Sequence, residues 1–289
     1  MSKKLRVLMI GAHPDDCDIS CGGTALKYVQ AGHTVKFLSL CNGDRGHHAM
    51  TPDEIRVRRR GESLAVGKFV GLEYDVWEDS HDCMVEATIA NRERLVRDIR
   101  RFNPDIIFCN RPNDYHADHR NAAILVQDAS YMLIVPNFCP DTPAMADTPA
   151  ILFFSDDFQN PPFVPDVAVD TTDVIDKQFE MMDLHVSQMY EWLPWTYHTL
   201  DTVPEGAEER LEWLHGTRVP REGTPLTLEQ MNQPQHSEIC EYRFARKAAK
   251  FRDALIRRYG AEKGGKACFA EAYQLCEYGG PFTQELIPF

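Results

Sequence analysis

Short apolar runs separated by amphipathic stretches organise the first half of the chain. Residues 7–10 form a β-rich apolar run ending in Gly11-Ala12. The polar His13-Pro14-Asp15-Asp16 follows almost at once, so the run reads as a first strand and not as a signal peptide. Residues 22–31 read as a helix closed by Gly32, and residues 35–40 as a second strand. After an NGDRG loop at 42–46, a long helix is predicted over Pro52–Val70, with Thr51 as N-cap, Pro52 in the first turn and Gly71 as the stop. A short strand at 74–77, a helix at 86–102, a strand at 105–109, a helix at 117–133 and a strand at 151–154 complete the alternation. This order predicts an α/β fold, Rossmann-like, with a mostly parallel sheet flanked by helices.

The pattern changes after residue 156. Asn160-Pro161-Pro162 and Val164-Pro165 mark a loop, 167–170 an edge strand and 172–191 a helix. Residues 192–235 hold several prolines and little periodicity, 236–258 read as a basic helix, and 269–289 are mixed. The expected organisation is a catalytic α/β domain over 1–190 and a mixed C-terminal extension over 191–289 packed on the same core.

Composition narrows the function classes. The chain has 289 residues, with 31 Lys and Arg against 44 Asp and Glu, a net charge of −13. That excess would repel a phosphate backbone, so nucleic acid is not an expected partner. No stretch approaches the ~18 consecutive apolar residues of a membrane span. The nine cysteines include no CxxC pair, which suits buried thiols in a reducing cytoplasm.

Two clusters carry the chemistry. His13-Pro14-Asp15-Asp16-Cys17-Asp18 follows the first strand, and Asn113-Asp114-Tyr115-His116-Ala117-Asp118-His119 follows the strand at 105–109. Ligands bind at the carboxyl ends of parallel strands, and two strands flanking the switch point would open both clusters into one crevice. Either cluster alone also reads as a polar loop capping a helix. Together they hold enough groups for two imidazoles and one carboxylate around Zn2+, with a second carboxylate as base and a further His as acid. The same ligand set suits non-haem Fe2+. No GxGxxG follows the first strand, which argues against dinucleotide binding.

AHPDD followed about a hundred residues later by HxDH resembles the LmbE/PIG-L family of metal-dependent N-acetylglucosaminyl deacetylases. Arg59-Arg60-Gly61-Glu62 with Gly71 resembles the family's R-x-x-E helix, and Lys177 with His185-Val186-Ser187-Gln188 its K…H-x-S-Q stretch. A weaker echo falls at Phe269-Ala270-Glu271. The resemblance implies a zinc-dependent hydrolase removing an N-acetyl group from an amino-sugar conjugate. It implies His13, Asp16 and His119 as metal ligands and Asp15 as general base. His116 would be the acid or oxyanion donor, oriented by Asp118, and Arg59 the oxyanion or substrate arginine. Two positions depart from the family pattern: Cys17 stands where Glu is usual, and Ala117 where Pro is frequent.

Other features have plainer readings. His47 and His48 are expected as exposed loop residues, and His185 in a structural role. Trp192, Trp195 and Trp213 could stack on sugar rings, but core packing is the commoner use. The basic residues Arg243, Arg246, Lys247 and Lys250 read as a solvated or subunit-contact face, compatible with a homo-oligomer. The competing functions are another metal-dependent hydrolase, such as a phosphoesterase or amidase, and a non-catalytic carbohydrate-binding protein on the same scaffold.

Overall fold

The computed structural model describes residues 3–289. A seven-stranded sheet runs through it in the order β3-β2-β1-β4-β5-β7-β6. The strands are β1 (Arg6–Gly11), β2 (Thr34–Ser39), β3 (Glu73–Val76), β4 (Ile106–Cys109), β5 (Ala150–Phe154), β6 (Val167–Asp170) and β7 (Ala270–Leu275). The first five are mutually parallel, while β7 runs antiparallel to both β5 and β6. The helices are α1 (Asp16–Gln30), α2 (Pro52–Val70), α3 (Ile89–Phe102), α4 (Ala117–Met132), α5 (Ile175–Asp183), α6 (Leu193–Thr196), α7 (Ala207–His215), α8 (Glu241–Lys250) and α9 (Arg252–Lys266). Among the described residues no helix is long and apolar enough to cross a membrane.

Strand periodicity builds two cores. Val7, Met9, Phe37, Ile106, Phe108 and Leu152 face one side of the sheet with α1 and α2. Leu8, Ile10, Leu38, Ile107, Cys109 and Ile151 face the other with α3 and α4. Both faces are dry, which is why the strands are continuous apolar runs. The long helix α2 starts and stops as its sequence indicates. Thr51 and Glu54 form a capping box, and Gly71 ends the helix at φ 85°.

Three elements differ from the sequence reading. α1 starts six residues earlier than position 22 and is kinked at Cys21. Gly22 and Gly23 let it approach α5 closely: a Cβ on Gly22 would lie 2.3 Å from the Met181 methyl. The helix expected over 172–191 stops at Asp183, and a π-helical turn spans Gln188–Trp192. The intervening Ser187 N–H donates to Glu62 Oε1 (2.8 Å) and so leaves the helical ladder. The helix expected over 236–258 is two, α8 and α9, joined at Phe251.

The tail beyond residue 190 does more than cover the core. Its strand β7 lies inside the sheet, and its buried Glu271 accepts hydrogen bonds from Gly23 N (2.9 Å) and Thr24 N (2.8 Å). Those N–H groups open the second half of the kinked α1, so a residue of the last strand caps a helix of the first βα unit.

Candidate metal centre and active cavity

β1 and β4 are neighbours at the point where strand order reverses, so the loops after them meet. The loop after β1 is tied back on itself: Ala12 N and His13 N donate to Asp16 Oδ2 at 2.8 and 3.0 Å. Ala12 N also reaches Asn110 Oδ1 beyond β4 (3.1 Å). His13 Nδ1 then stands 3.2 Å from His119 Nε2 and 3.7 Å from Asp16 Oδ2, and Asp16 Oδ1 lies 3.3 Å from His119 Nε2.

The far nitrogens of both imidazoles face carboxylates. His13 Nε2 lies 3.2 Å from Asp82 Oδ1 and 3.3 Å from Asp118 Oδ2, and His119 Nδ1 lies 3.1 Å from Asp114 Oδ2. With protons on those far atoms, two nitrogen lone pairs and a carboxylate converge. That donor set fits a divalent cation, and carboxylate–histidine pairs are the usual support for such ligands. Without a cation the acidic array charges the rings. Burial opposes charge on His119, but Asp16 and Asp114 outweigh it and push the pKa up to about 9.

Asp15 and His116 flank this cluster in one cavity of about 1300 Å³. Asp15 Oδ1 accepts from Arg59 Nη2 at 3.0 Å. Arg59 is 2% exposed and also donates to the carbonyls of Gly43 (3.3 Å) and Pro14 (3.4 Å). Gly43, at φ 69°, is needed there, because a Cβ would lie 2.4 Å from Arg59 Nη1. His116 caps α4, its Nδ1 accepting the Asp118 N–H at 3.2 Å. The ring's hydrogen is thereby assigned to Nε2. Burial, with His13 and His119 nearby, lowers the His116 pKa, so the ring is a neutral donor.

Two expected roles need correcting. The Asp118 carboxylate does not orient His116; only its backbone N–H touches that ring. Its oxygens face His13 and accept from Cys83 N (2.7 Å) and Val85 N (3.2 Å). Arg59 has its guanidinium committed to Asp15 and two carbonyls, so it holds the Asp15 carboxylate in place and does not reach out into the cavity. Its neighbours Arg56 and Arg60 pair with Glu78 outside the cavity.

Asp82 and Asp114 escaped the sequence reading as functional groups. Asp114 lay inside a quoted motif without a role. Asp82 sits in the loop after β3, its N–H held by Asp44 Oδ1 (3.0 Å) of the NGDRG loop. Burial opposes its charge, but His13 and Arg59 hold its carboxyl well below the usual range.

The other flagged residues fall mostly behind the cavity. Cys17 packs in the core, where burial raises its thiol pKa. His185 Nε2 lies 3.2 Å from buried Asp18, and Ser187 Oγ donates to Glu62 (2.6 Å), so the R-x-x-E and H-x-S-Q stretches interlock beneath the metal loop. His47 is not exposed; it pairs with Glu191 at 2.8 Å. Exposed His48 stacks on Trp195, which stacks on Trp192 at the cavity wall. Trp213 packs against Tyr190 and His236. Arg243, Arg246, Lys247 and Lys250 of α8 border the cavity, with Arg246 and Lys250 also exposed to solvent.

Residues 8–130 match the model of the family described as PIG-L, GlcNAc-PI de-N-acetylase. The chain is 30% identical over 198 residues to diacetylchitobiose deacetylase of Thermococcus kodakarensis, covering 66% of this chain and 73% of the relative. The chain belongs to this family of de-N-acetylases. It is also 24% identical over 211 residues to 4-oxalmesaconate hydratase of Pseudomonas putida, covering 70% and 80% of the two chains. Its fold matches that of N,N'-diacetylchitobiose deacetylase from Pyrococcus horikoshii, with TM-score 0.63 and 20% identity over 96% of this chain and 85% of the other.

Proposed function

We propose that this member hydrolyses the N-acetyl group of an amino-sugar conjugate with Zn2+ held by His13, Asp16 and His119. The observation that carries the reading is the convergence of those three donors between Asp15 and His116 within one cavity. A bound zinc supplies Lewis acidity to the amide carbonyl and lowers the pKa of a water toward ~7. Asp15 takes the proton of the attacking water, its Oδ1 pinned by Arg59 so that the carboxylate is fixed in direction. His116 Nε2–H donates to the oxygen that gains charge, from a ring fixed by its Nδ1 bond to α4. The C–N bond then breaks as the proton held by Asp15 passes to the leaving nitrogen, releasing the amine and acetate. Trp192, stacked with Trp195, offers an apolar face for a sugar ring at the wall.

The test combines metal content with acetate release from N,N'-diacetylchitobiose. About one zinc per chain, lost in His119→Ala, with turnover abolished in Asp15→Ala while metal is kept, is the expected result. Near-wild-type turnover by metal-loaded Asp15→Ala overturns the assignment of the base. The sequence match to a hydratase favours a second reading, addition of water to an unsaturated acid. Loss of an alkene absorbance without acetate release selects it.

A further inference from the structure

The cationic stripe of α8 lines the active cavity. Arg243, Arg246, Lys247 and Lys250 recur at i, i+3, i+4 and i+7, one face of a helix, and all four border the cavity that holds His13, Asp15 and His116. Three are engaged. Arg243 Nη1 donates to Glu238 Oε1 (2.8 Å), Arg246 Nη2 to the Met231 carbonyl (2.6 Å) and Lys250 Nζ to Asp157 Oδ1 (2.6 Å).

Lys247 is not. Its Nζ is shielded from solvent and has no hydrogen-bond partner among the described residues. The nearby acids are already used. Asp157 takes Lys250, and Glu271 accepts from Gly23, Thr24, Gln178 and Tyr273. Burial and the adjacent Arg243 push the Lys247 pKa down to about 8. A shielded ammonium with no carboxylate in hydrogen-bond reach is costly, and an anion from the ligand would offset that cost. The setting makes the cation purposeful: a chain of net charge −13, with Asp15, Asp16, Asp82 and Asp114 around the metal cluster, otherwise repels an anionic substrate.

We propose that Lys247, with Arg243 beside it, is the anion position of the active cavity and takes a carboxylate or phosphate on the non-acyl part of the substrate. The proposal rests on the deacetylase reading for the acyl end and adds the class of the remainder: an N-acetylated amino-sugar conjugate bearing an acidic group.

The experiment compares kcat/KM for acetate release by metal-loaded enzyme on N,N'-diacetylchitobiose, N-acetylglucosamine 6-phosphate and N-acetylmuramic acid. One acidic substrate should exceed the neutral one by about tenfold or more, and which one identifies the anion as phosphate or carboxylate. That ratio should fall by about tenfold in Lys247→Met and be largely kept in Lys247→Arg. Lys247→Gln is the second variant should Lys247→Met fail to fold. A preference for the neutral substrate, or the same ratio in wild type and the uncharged variant, overturns the proposal. Should no substrate release acetate, the deacetylase reading fails. Calorimetric titration of inorganic phosphate and succinate into both proteins then decides the anion position by itself. Binding about tenfold weaker in the uncharged variant supports it, and unchanged or absent binding in both overturns it.

Discussion

Asp118 turns its carboxylate away from His116, two residues before it, and sets Oδ2 3.3 Å from His13 Nε2. The same carboxylate is gripped from behind by Cys83 N–H and Val85 N–H. The start of α4, the loop after β3 and the metal loop after β1 thus meet on one side chain. An acceptor at Nε2 keeps the His13 proton there and leaves Nδ1 free to face His119.

Asp118→Asn keeps the shape but offers Nε2 a weaker acceptor. Metal affinity should fall by about 10–100-fold, read by competition with a chelator, while a metal-saturated sample stays folded. Asp82→Asn should fall less, since Asp118 still faces the same nitrogen. Unchanged affinity in both would mean that these carboxylates do not support the ligand.

Arg59→Met removes a buried cation from Asp15 and leaves the Gly43 and Pro14 carbonyls without its hydrogen bonds. Leaving a buried charge without its partner costs on the order of 3–5 kcal/mol, measured by denaturant unfolding. Turnover should also fall in kcat with KM little changed if the arginine acts through Asp15, the proposed base, and not on substrate. A rise in KM alone would place Arg59 against the ligand.

The first βα units were legible because local rules decide them. Leu8 and Met9 alternate between two dry faces, and Thr51 with Pro52 marks the start of α2. The meeting of His13 and Asp16 with His119 was legible because the first two follow closely on β1 and His119 lies in the first turn of α4, the helix that follows neighbouring β4. Asp82 was not: a lone carboxylate in a loop gains meaning only once β3 has paired with β2 and Asp44 has fixed the loop. Lys247 was misread for a similar reason. Its stripe resembles any solvated helix face until α8 packs beside β7 and closes the cavity wall. β7 was hidden by its own Glu271, which interrupts an apolar strand with a buried charge whose partners lie far away in the chain.

Acid should reveal a second buried carboxylate remote from the metal cluster. Burial opposes the charge of Glu241, but His215, Arg221, the Val219 N–H and Arg218 outweigh it and bring its pKa down to about 2 from 4.5. The folded pKa is depressed, so the stabilisation is complete above pH 4.5 and is lost as pH falls toward about 2. Over that window the wild-type stability should drop more steeply than that of Glu241→Gln, by up to about 1.4 kcal/mol per pH unit. Thermal unfolding of both proteins across the window measures it, and parallel curves would contradict the role.

The interior position of β7 makes a prediction about where the chain can be cut. Glu271 satisfies the N–H groups of Gly23 and Thr24 at the kink of α1, together with Gln178 Nε2 and the Tyr273 hydroxyl. Glu271→Ala strands these buried donors and removes a helix cap, at a cost of about 2–4 kcal/mol in unfolding free energy. The first half of α1 carries Asp16, but Asp16 is held by Ala12 and His13 and not by the cap. Folded Glu271→Ala should therefore still bind one metal per chain with near-normal affinity. A chain ending at residue 190 fares worse, because β5 and β6 lose the strand between them and α1 loses its cap together. It should be recovered only as aggregate or unfolded protein, by circular dichroism and size exclusion. A folded, metal-binding 1–190 fragment would show that the α/β body closes without its last strand.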